Sequence, residues 1–151
     1  MPSVTKQELF DYCRSYVTER IERIRTEINT SQSSANEETK SSAGDKHETA
    51  RAMAQLEVEM NSRQLAEAEK LQESLSKIIV NRTYEVITPG ALVETSQGLF
   101  YLAISIGKVQ MAGEICYVVS PDSPLGKILI GKKSGDIVLF NGNKLQIIAV
   151  I

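Results

Sequence analysis

Two carboxylates three residues apart, Asp45 and Glu48, are the residues of this sequence best suited to do chemistry. They follow Gly44, which is the only glycine between Ser3 and Thr88 in a stretch that also lacks proline. Because positions i and i+3 share one face of a helix, both side chains can approach the same object beyond the break. Carboxylate oxygens are ligands that Mg²⁺ prefers, so the pair could hold such an ion or orient a water molecule.

The same spacing also fits an acidic capping box, in which the Asp45 side chain accepts from a helix amide and Glu48 reaches back. Spacing alone leaves both interpretations open, and a carboxylate used for capping keeps fewer lone pairs for a metal. His47 lies between the two, but one histidine with no second His or Cys nearby is a poor zinc site. We therefore expect His47 to be an exposed residue of the tip.

The composition excludes several classes of protein. Hydrophobic residues make up 42% of the chain and charged residues 24%, which suffices for one domain or two small ones. Neither half has the basic excess of a protein that grips nucleic acid directly. Cys13 and Cys116 are the only cysteines, so no disulfide framework or thiolate zinc site is indicated. Without a signal peptide or an apolar run long enough for a membrane span, the chain is predicted to be cytoplasmic.

Apolar residues recur at helical spacing on both sides of Gly44, over residues 5–30 and 49–80, and predict an antiparallel helical hairpin or coiled coil over residues 1–80. Residues 31–43 contain no large apolar side chain and are expected to be mobile or weakly helical, and exposed. An arm of about 25 residues would reach roughly 40 Å. The predicted seam consists of Phe10, Val17, Ile21, Ile24 and Ile28 in the first arm, and Met53, Leu56, Met60, Ala68, Leu71, Leu75 and Ile78 in the second, with a phase slip near residues 63–65.

From residue 84 onward, glycines and β-branched alternation replace the helical period. Strands are predicted near residues 91–95, 98–106, 114–119, 136–140 and 144–151, with Asn141-Gly142 as a hairpin turn between the last two. A short amphipathic helix is expected over residues 124–131. The second module, residues 81–151, is therefore a small antiparallel sheet with one short helix, and the whole chain is α+β.

Catalytic machinery of the chain's own is not indicated. No Ser/His/Asp or Cys/His set can be assembled, because the only histidine lies at the tip, and no phosphate-binding glycine motif follows a strand. Lys127, Lys132 and Lys133 form either a docking patch or ordinary solvated lysines. The chain is therefore not predicted to be an enzyme in its own right.

The order of these parts resembles the Gre family of bacterial transcript-cleavage factors. The hairpin carries Gly-Asp-x-x-Glu at its turn, as that family does. The more specific signal is the run Ser-Pro-Asp-Ser-Pro-Leu-Gly-Lys at residues 120–127, which continues to Gly135-Asp136. It resembles the part of the family's FKBP-like carboxy-terminal domain that docks on RNA polymerase. The resemblance spans nearly the whole chain, and it is strongest at the tip and from Val118 onward.

The resemblance implies a monomeric factor that inserts its hairpin into the secondary channel of bacterial RNA polymerase and stimulates cleavage of the nascent RNA 3′ end in backtracked complexes. Asp45 would hold a second Mg²⁺ shared with the polymerase, and Glu48 would orient that ion or the attacking water. The chain alone would bind no metal stably, and it would contact the RNA only indirectly. The docking residues implied are Ser120, Pro121, Ser123, Pro124, Gly126 and Lys127.

The sequence departs from the family just after the tip. Family members usually continue Asn-Ala-Glu-Tyr, whereas this chain has Thr49-Ala50-Arg51-Ala52 and so lacks the aromatic residue. Arg51 could contact a phosphate or simply lie on the helix surface. Three alternatives stay open: a channel-binding regulator that does not promote cleavage, a peptidyl-prolyl isomerase or chaperone suggested by the FKBP-like module, and a coiled-coil dimer. Sheet aromatics for a proline pocket are few: Tyr84, Phe100, Tyr101, Tyr117 and Phe140.

Overall fold

The computed structural model describes residues 2–39 and 45–151, with the side chains of residues 34–39 and 45–47 left out. Two long helices that pack together precede a six-stranded, mostly antiparallel sheet with one short helix, so the chain is α+β, as the sequence predicts. Within the described ranges no helix is long and apolar enough to cross a membrane. The elements are α1 (Lys6–Thr39), α2 (Asp45–Ser76), β1 (Leu92–Thr95), β2 (Gly98–Leu102), β3 (Gly107–Met111), β4 (Glu114–Val119), α3 (Pro124–Leu129), β5 (Ile137–Phe140) and β6 (Asn143–Val150).

The chain forms two compact units. One is Ser15–Gln72, which holds most of the two long helices. The other combines Met1–Arg14 with Glu73–Ile151, so it contains the sheet together with the start of α1 and the end of α2. The unit that contains the sheet therefore includes residues that the sequence pattern assigns to the hairpin.

Of the predicted first-arm seam, Phe10 in the unit that contains the sheet and Ile28 in the helical unit are only half-buried. Val17, Ile21 and Ile24 of α1 are buried, as predicted. Facing them on α2, Ala68 is buried, and an ion pair of 3.8 Å joins Arg25 of α1 to Glu69 of α2. Burying apolar side chains at spacings of three and four residues is what holds two such helices together.

The seam predicted for the first half of α2 is wrong. Met53, Leu56 and Met60 are 63%, 51% and 53% exposed. A helix turns by about 100° per residue, so the buried face that includes Ala68 can be followed along α2 toward the tip. It continues without the phase slip that was predicted near residues 63–65. The side chains on that face are all buried or half-buried: Ala54, Val58, Asn61 and Leu65.

α1 starts where the sequence pattern predicts, but it extends farther. The helix runs through Thr39, and Ser31 is buried, so the segment expected to be mobile or weakly helical and exposed is helical at least that far. A capping box lies at the start of α1. The Glu8 amide donates to the Thr5 hydroxyl (3.1 Å), and the Thr5 amide donates to a Glu8 carboxylate oxygen (3.2 Å). This reciprocal pair satisfies two amides at the start of α1.

The sheet has the strand order β3-β4-β2-β1-β6-β5, and all neighbours are antiparallel except β2 and β4. The Asn141-Gly142 turn is confirmed, with φ of 51° and 79°. β3 was not predicted, and the strand predicted for residues 98–106 ends at Leu102. Ala112 and Gly113, with φ of 53° and 76°, form a similar turn between β3 and β4.

The sheet buries both of its faces over part of its width. One face packs against Leu129 of α3 and includes Phe100, Leu102 and Ile147. Since side chains alternate along a strand, Tyr101 and Cys116 point the other way. They are buried together with Leu9 and Cys13 from the start of α1. Within this unit the first turns of α1 therefore act as a cover for the second face.

A carboxylate of the sheet holds the segment that precedes α1. One oxygen of Glu114, at the start of β4, accepts from the amides of Ser3 (2.8 Å) and Val4 (3.1 Å). Hydrogen bonds to a charged acceptor are worth more than neutral ones. We expect Glu114→Ala to lower the free energy of unfolding by about 1–2 kcal/mol in urea titrations. Glu85→Ala removes an equal charge from an exposed position and should change it by less than about 0.5 kcal/mol; equal effects would contradict the role of Glu114.

Candidate functional site

The first turn of α2 contains both members of the predicted acidic pair. α2 begins at Asp45, so Asp45 and Glu48 occupy positions i and i+3 of that turn. The Glu48 side chain is exposed. Within the described part of the chain, no other side chain hydrogen-bonds or ion-pairs with it. The side chains of Asp45 and His47 lie outside the described residues, so capping and metal binding both stay predictions.

The chemistry of such a pair is that of a weak, open magnesium site. Mg²⁺ is commonly held by one or two carboxylates and keeps several waters. Among the side chains that the structure describes, no three His, Cys, Asp or Glu residues gather into a group that could hold a metal. A pair of carboxylates fits an ion that a second molecule also ligates.

The Ser-Pro run lies on a tight turn that leads into α3. The Ser123 hydroxyl caps this helix by accepting from the Gly126 amide (3.0 Å), and it donates to the Ser120 carbonyl (2.6 Å). Pro124 follows at the first helical position, where its missing amide costs nothing. The Ser120 hydroxyl accepts from the Asp122 amide (3.1 Å). Both serines thus build the turn with their side-chain oxygens.

Gly126 is needed because α3 passes against this turn. A Cβ atom placed on Gly126 would lie 2.0 Å from the Ser120 carbonyl oxygen and 2.9 Å from the Pro121 Cα. Of the six predicted docking residues, Gly126 is buried, whereas Pro124 and Lys127 are exposed. The structure therefore brings the six together on one turn, with three of them shaping it and the outward-facing ones free for a partner.

An open cavity of about 440 Å³ adjoins this turn. Ser120, Pro121 and Asp122 line it on one side. Residues 77–89, which we call the connector, provide most of the remaining lining. Two cationic side chains of the connector, Lys77 and Arg82, were not among the predicted site residues. The remaining lining residues are Ser74, Ile78, Ile79, Tyr84, Thr88, Pro89 and Ala103. In the sequence, residues 77–89 look like a boundary between two modules, and no periodic pattern distinguishes them.

Lys6, near the start of α1, fixes the connector. Its Nζ donates to the Arg82 carbonyl and lies 5.3 Å from the centre of the Tyr84 ring. A cation over an aromatic face is attracted by the ring electrons. Partial burial lowers the pKa of Lys6 from its ordinary value. This contact links the cationic wall of the cavity to the helix that covers the sheet, within the same compact unit.

A second cluster of ionisable groups is entirely internal. Cys13 of α1, Cys116 of β4 and the Tyr101 hydroxyl of β2 are all buried. Burial raises the pKa of each thiol to about 12, and it raises the pKa of Tyr101 as well. In the described structure the Tyr101 hydroxyl has no hydrogen-bond partner. Because a thiolate is the reactive form, neither cysteine is suited to nucleophilic catalysis.

The raised thiol pKa values predict a stability that declines in alkali. The folded chain keeps both protons until about pH 12, whereas unfolded thiols lose them above about pH 9. Stability is therefore full below pH 8 and falls as pH rises above 9, by up to about 1 kcal/mol per pH unit for each thiol. Urea titrations at pH 7.5, 9 and 10 would measure this. The double variant Cys13→Ser and Cys116→Ser should lose that part of the pH dependence; an unchanged slope would contradict it.

Comparison with known proteins adds no assignment: no family model matches the sequence, and no curated protein matches it.

Proposed function

We propose that this chain binds bacterial RNA polymerase through its secondary channel and stimulates cleavage of the 3′ end of backtracked RNA. The observation that carries the proposal is the position of Asp45 and Glu48 in the first turn of α2, the second of two long helices that pack together. The resemblance of the tip and of residues 120–127 to the Gre family supports the same function. On this proposal the protein acts in the cytoplasm, as a monomer, and the polymerase performs the cleavage.

The helices serve to deliver oxygen ligands to a site that the protein does not itself contain. Asp45 would hold an ion shared with the polymerase, and Glu48 would orient that ion or the attacking water. When bound, Mg²⁺ neutralises charge on the phosphate and makes a bound water a better nucleophile. The contribution of the chain is the placement of two oxygens and the exclusion of bulk water by the tip.

Docking by the sheet unit would hold the factor while the tip reaches inward. The outward residues of the turn, Pro124 and Lys127, and the cavity lined by Ser120, Pro121 and Asp122 are the candidate docking surfaces. The cavity lining combines apolar side chains with Arg82 and with Lys77, which also pairs with Glu73 at 3.9 Å, and this mixture suits a partner element that presents an apolar side chain beside an acidic one. Ser120, Ser123 and Gly126 support these surfaces by fixing the shape of the turn.

A channel-binding regulator without cleavage activity is the second candidate. It is favoured by the sequence after the tip, where Ala52 stands in place of the family's aromatic residue and Arg51 is exposed. The isomerase alternative has less support. Phe100 and Tyr101 are buried, and the Phe100 ring stacks on Tyr117 at 5.4 Å, so these aromatics are committed to packing.

Two measurements with purified bacterial RNA polymerase test the proposal. Co-sedimentation or pull-down detects binding, and a backtracked complex with end-labelled RNA detects cleavage. Binding with cleavage supports the proposed function, and binding without cleavage assigns the chain to the regulator class. A chain that does not bind polymerase at micromolar concentration is not a factor of this kind.

A further inference from the structure

The outward face of α2 carries three large apolar side chains that the hairpin does not bury. Met53, Leu56 and Met60 are each more than half exposed, at successive spacings of three and four residues. Together with Ala50, Ala54 and Glu57 they line a shallow cavity of about 480 Å³ along the helix. We call Met53, Leu56 and Met60 the α2 stripe. The packing seam of α2 does not need it, because Ala54, Val58 and Asn61 fill that role.

The stripe and the tip carboxylate lie on opposite flanks of the helix. We measure angles around the helix axis from the middle of the packing seam, at about 100° per residue. The centre of the stripe then lies roughly 125° to one side of the seam, and Glu48 lies roughly 120° to the other side. A flat partner that rests on one flank of α2 would reach either Glu48 or the stripe. Only a partner that curves around the helix contacts both.

A second copy of the chain is a poor occupant for the stripe. A stable interface of standard size buries roughly 800 Å² on each partner, from 20 to 30 residues. Three half-exposed side chains provide a small fraction of that area. Glu57 lies beside the stripe in the same cavity, and an antiparallel copy would bring like charges together. The small area suits one subsite within a larger contact.

We propose that the α2 stripe binds an apolar part of the wall of the polymerase channel that receives the tip. This inference rests on the proposed function. It adds a contact between α2 and the channel wall to the docking of the sheet unit. Methionine suits such a contact, because its flexible and polarisable side chain adapts to an irregular surface. Along the chain the stripe lies between the tip and the sheet unit. Its contact with the channel wall would therefore depend on how far the hairpin has entered.

The test compares two triple variants of the full chain. Met53→Gln, Leu56→Gln and Met60→Gln remove the apolar stripe while keeping good helix formers. The matched control changes three exposed positions of the other flank, Gln55→Ser, Glu59→Gln and Ser62→Gln. Fluorescence anisotropy of chains labelled at the amino terminus gives the dissociation constant for RNA polymerase. We expect it to rise at least tenfold for the stripe variant and less than twofold for the control.

The outcomes separate this inference from the proposed function. If the wild type does not bind polymerase, both are overturned. If the wild type binds and the stripe variant binds equally well, only the stripe inference is overturned. Analytical ultracentrifugation of the wild type and the stripe variant tests whether a second copy of the chain binds the stripe. Self-association of the wild type that the stripe variant abolishes would assign the stripe to a second copy and overturn this inference. Circular dichroism checks helix content, and Leu56→Gln alone carries the test if the triple variant loses helix.

Discussion

Replacing Asp45 by asparagine and Glu48 by glutamine should abolish stimulated RNA cleavage and leave polymerase binding unchanged. The two amides keep the size and hydrogen-bonding shape of the carboxylates but lose their charge. A neutral amide oxygen is a weaker ligand for Mg²⁺ and a far weaker proton acceptor. General-base and ion-orienting groups commonly contribute 10²–10⁴-fold to rate, so we expect cleavage in a backtracked complex to fall by about 10²-fold or more.

Two other carboxylates of the same helix provide the control. Glu59 and Glu67 are exposed and lie farther along α2, so Glu59→Gln and Glu67→Gln remove the same charge without touching the tip. This control should cleave within about twofold of wild type. If the tip variant cleaves as fast as the control, the pair is not catalytic and the capping interpretation gains weight. In that case Asp45→Ala with Glu48→Ala should lower the melting temperature, because a lost cap costs about 1 kcal/mol, whereas the amide variant still caps the helix and should melt like wild type.

Dependence on Mg²⁺ distinguishes an ion held by the tip from a purely structural effect. An ion ligated in part by Asp45 and Glu48 should be bound weakly, since the protein offers it few oxygens. Stimulated cleavage by the wild type should therefore rise with Mg²⁺ concentration over a range in which intrinsic cleavage by polymerase alone has already levelled off. Loss of that difference in the tip variant would assign the weak ion to the pair.

The general architecture could be predicted from the sequence because two strong signals agree. A long stretch without proline and with a single glycine favours helices, and the abrupt change to β-branched alternation after residue 84 favours a sheet. The Asn141-Gly142 turn was predicted because both residues tolerate positive φ. β3 was missed because its alternation is short and Val109 is its only buried side chain.

The faces of α2 could not be assigned from apolar spacing alone. Met53, Leu56 and Met60 repeat at helical intervals just as a seam does, but the seam follows the smaller residues Ala54 and Val58. Which stripe a helix buries depends on its phase relative to its partner, and that phase is set by the tighter packing near Ala68. The cationic wall of the cavity was missed for a different reason. Lys77 and Arg82 meet the Ser120 turn through tertiary packing, which leaves no local pattern.

Gly126→Ala, in the turn that carries the Ser-Pro run, should strongly destabilise the protein. On helix propensity alone this change should stabilise α3 by up to about 1 kcal/mol. The new Cβ, however, would lie 2.0 Å from the Ser120 carbonyl oxygen, which belongs to the backbone and cannot rotate away. Overpacking of this kind costs about 1–3 kcal/mol or more, so the clash should outweigh the propensity and the variant should be about 2–3 kcal/mol less stable.

A second glycine separates the clash from ordinary backbone strain. Gly113 has a φ of 76°, and nothing lies within 4 Å of a Cβ placed there. Gly113→Ala should therefore lower the free energy of unfolding by only about 1–2 kcal/mol, which is the cost of placing an alanine in the left-handed conformation. Urea titration gives both values, and a Gly126→Ala variant as stable as wild type would contradict the close approach. Because relief of the clash requires the Ser120–Pro121 backbone to move, Gly126→Ala should also weaken polymerase binding at a temperature where it stays folded, whereas Gly113→Ala should not. A loss of stability without a loss of binding would mean that the turn supports the fold alone and that the partner docks elsewhere.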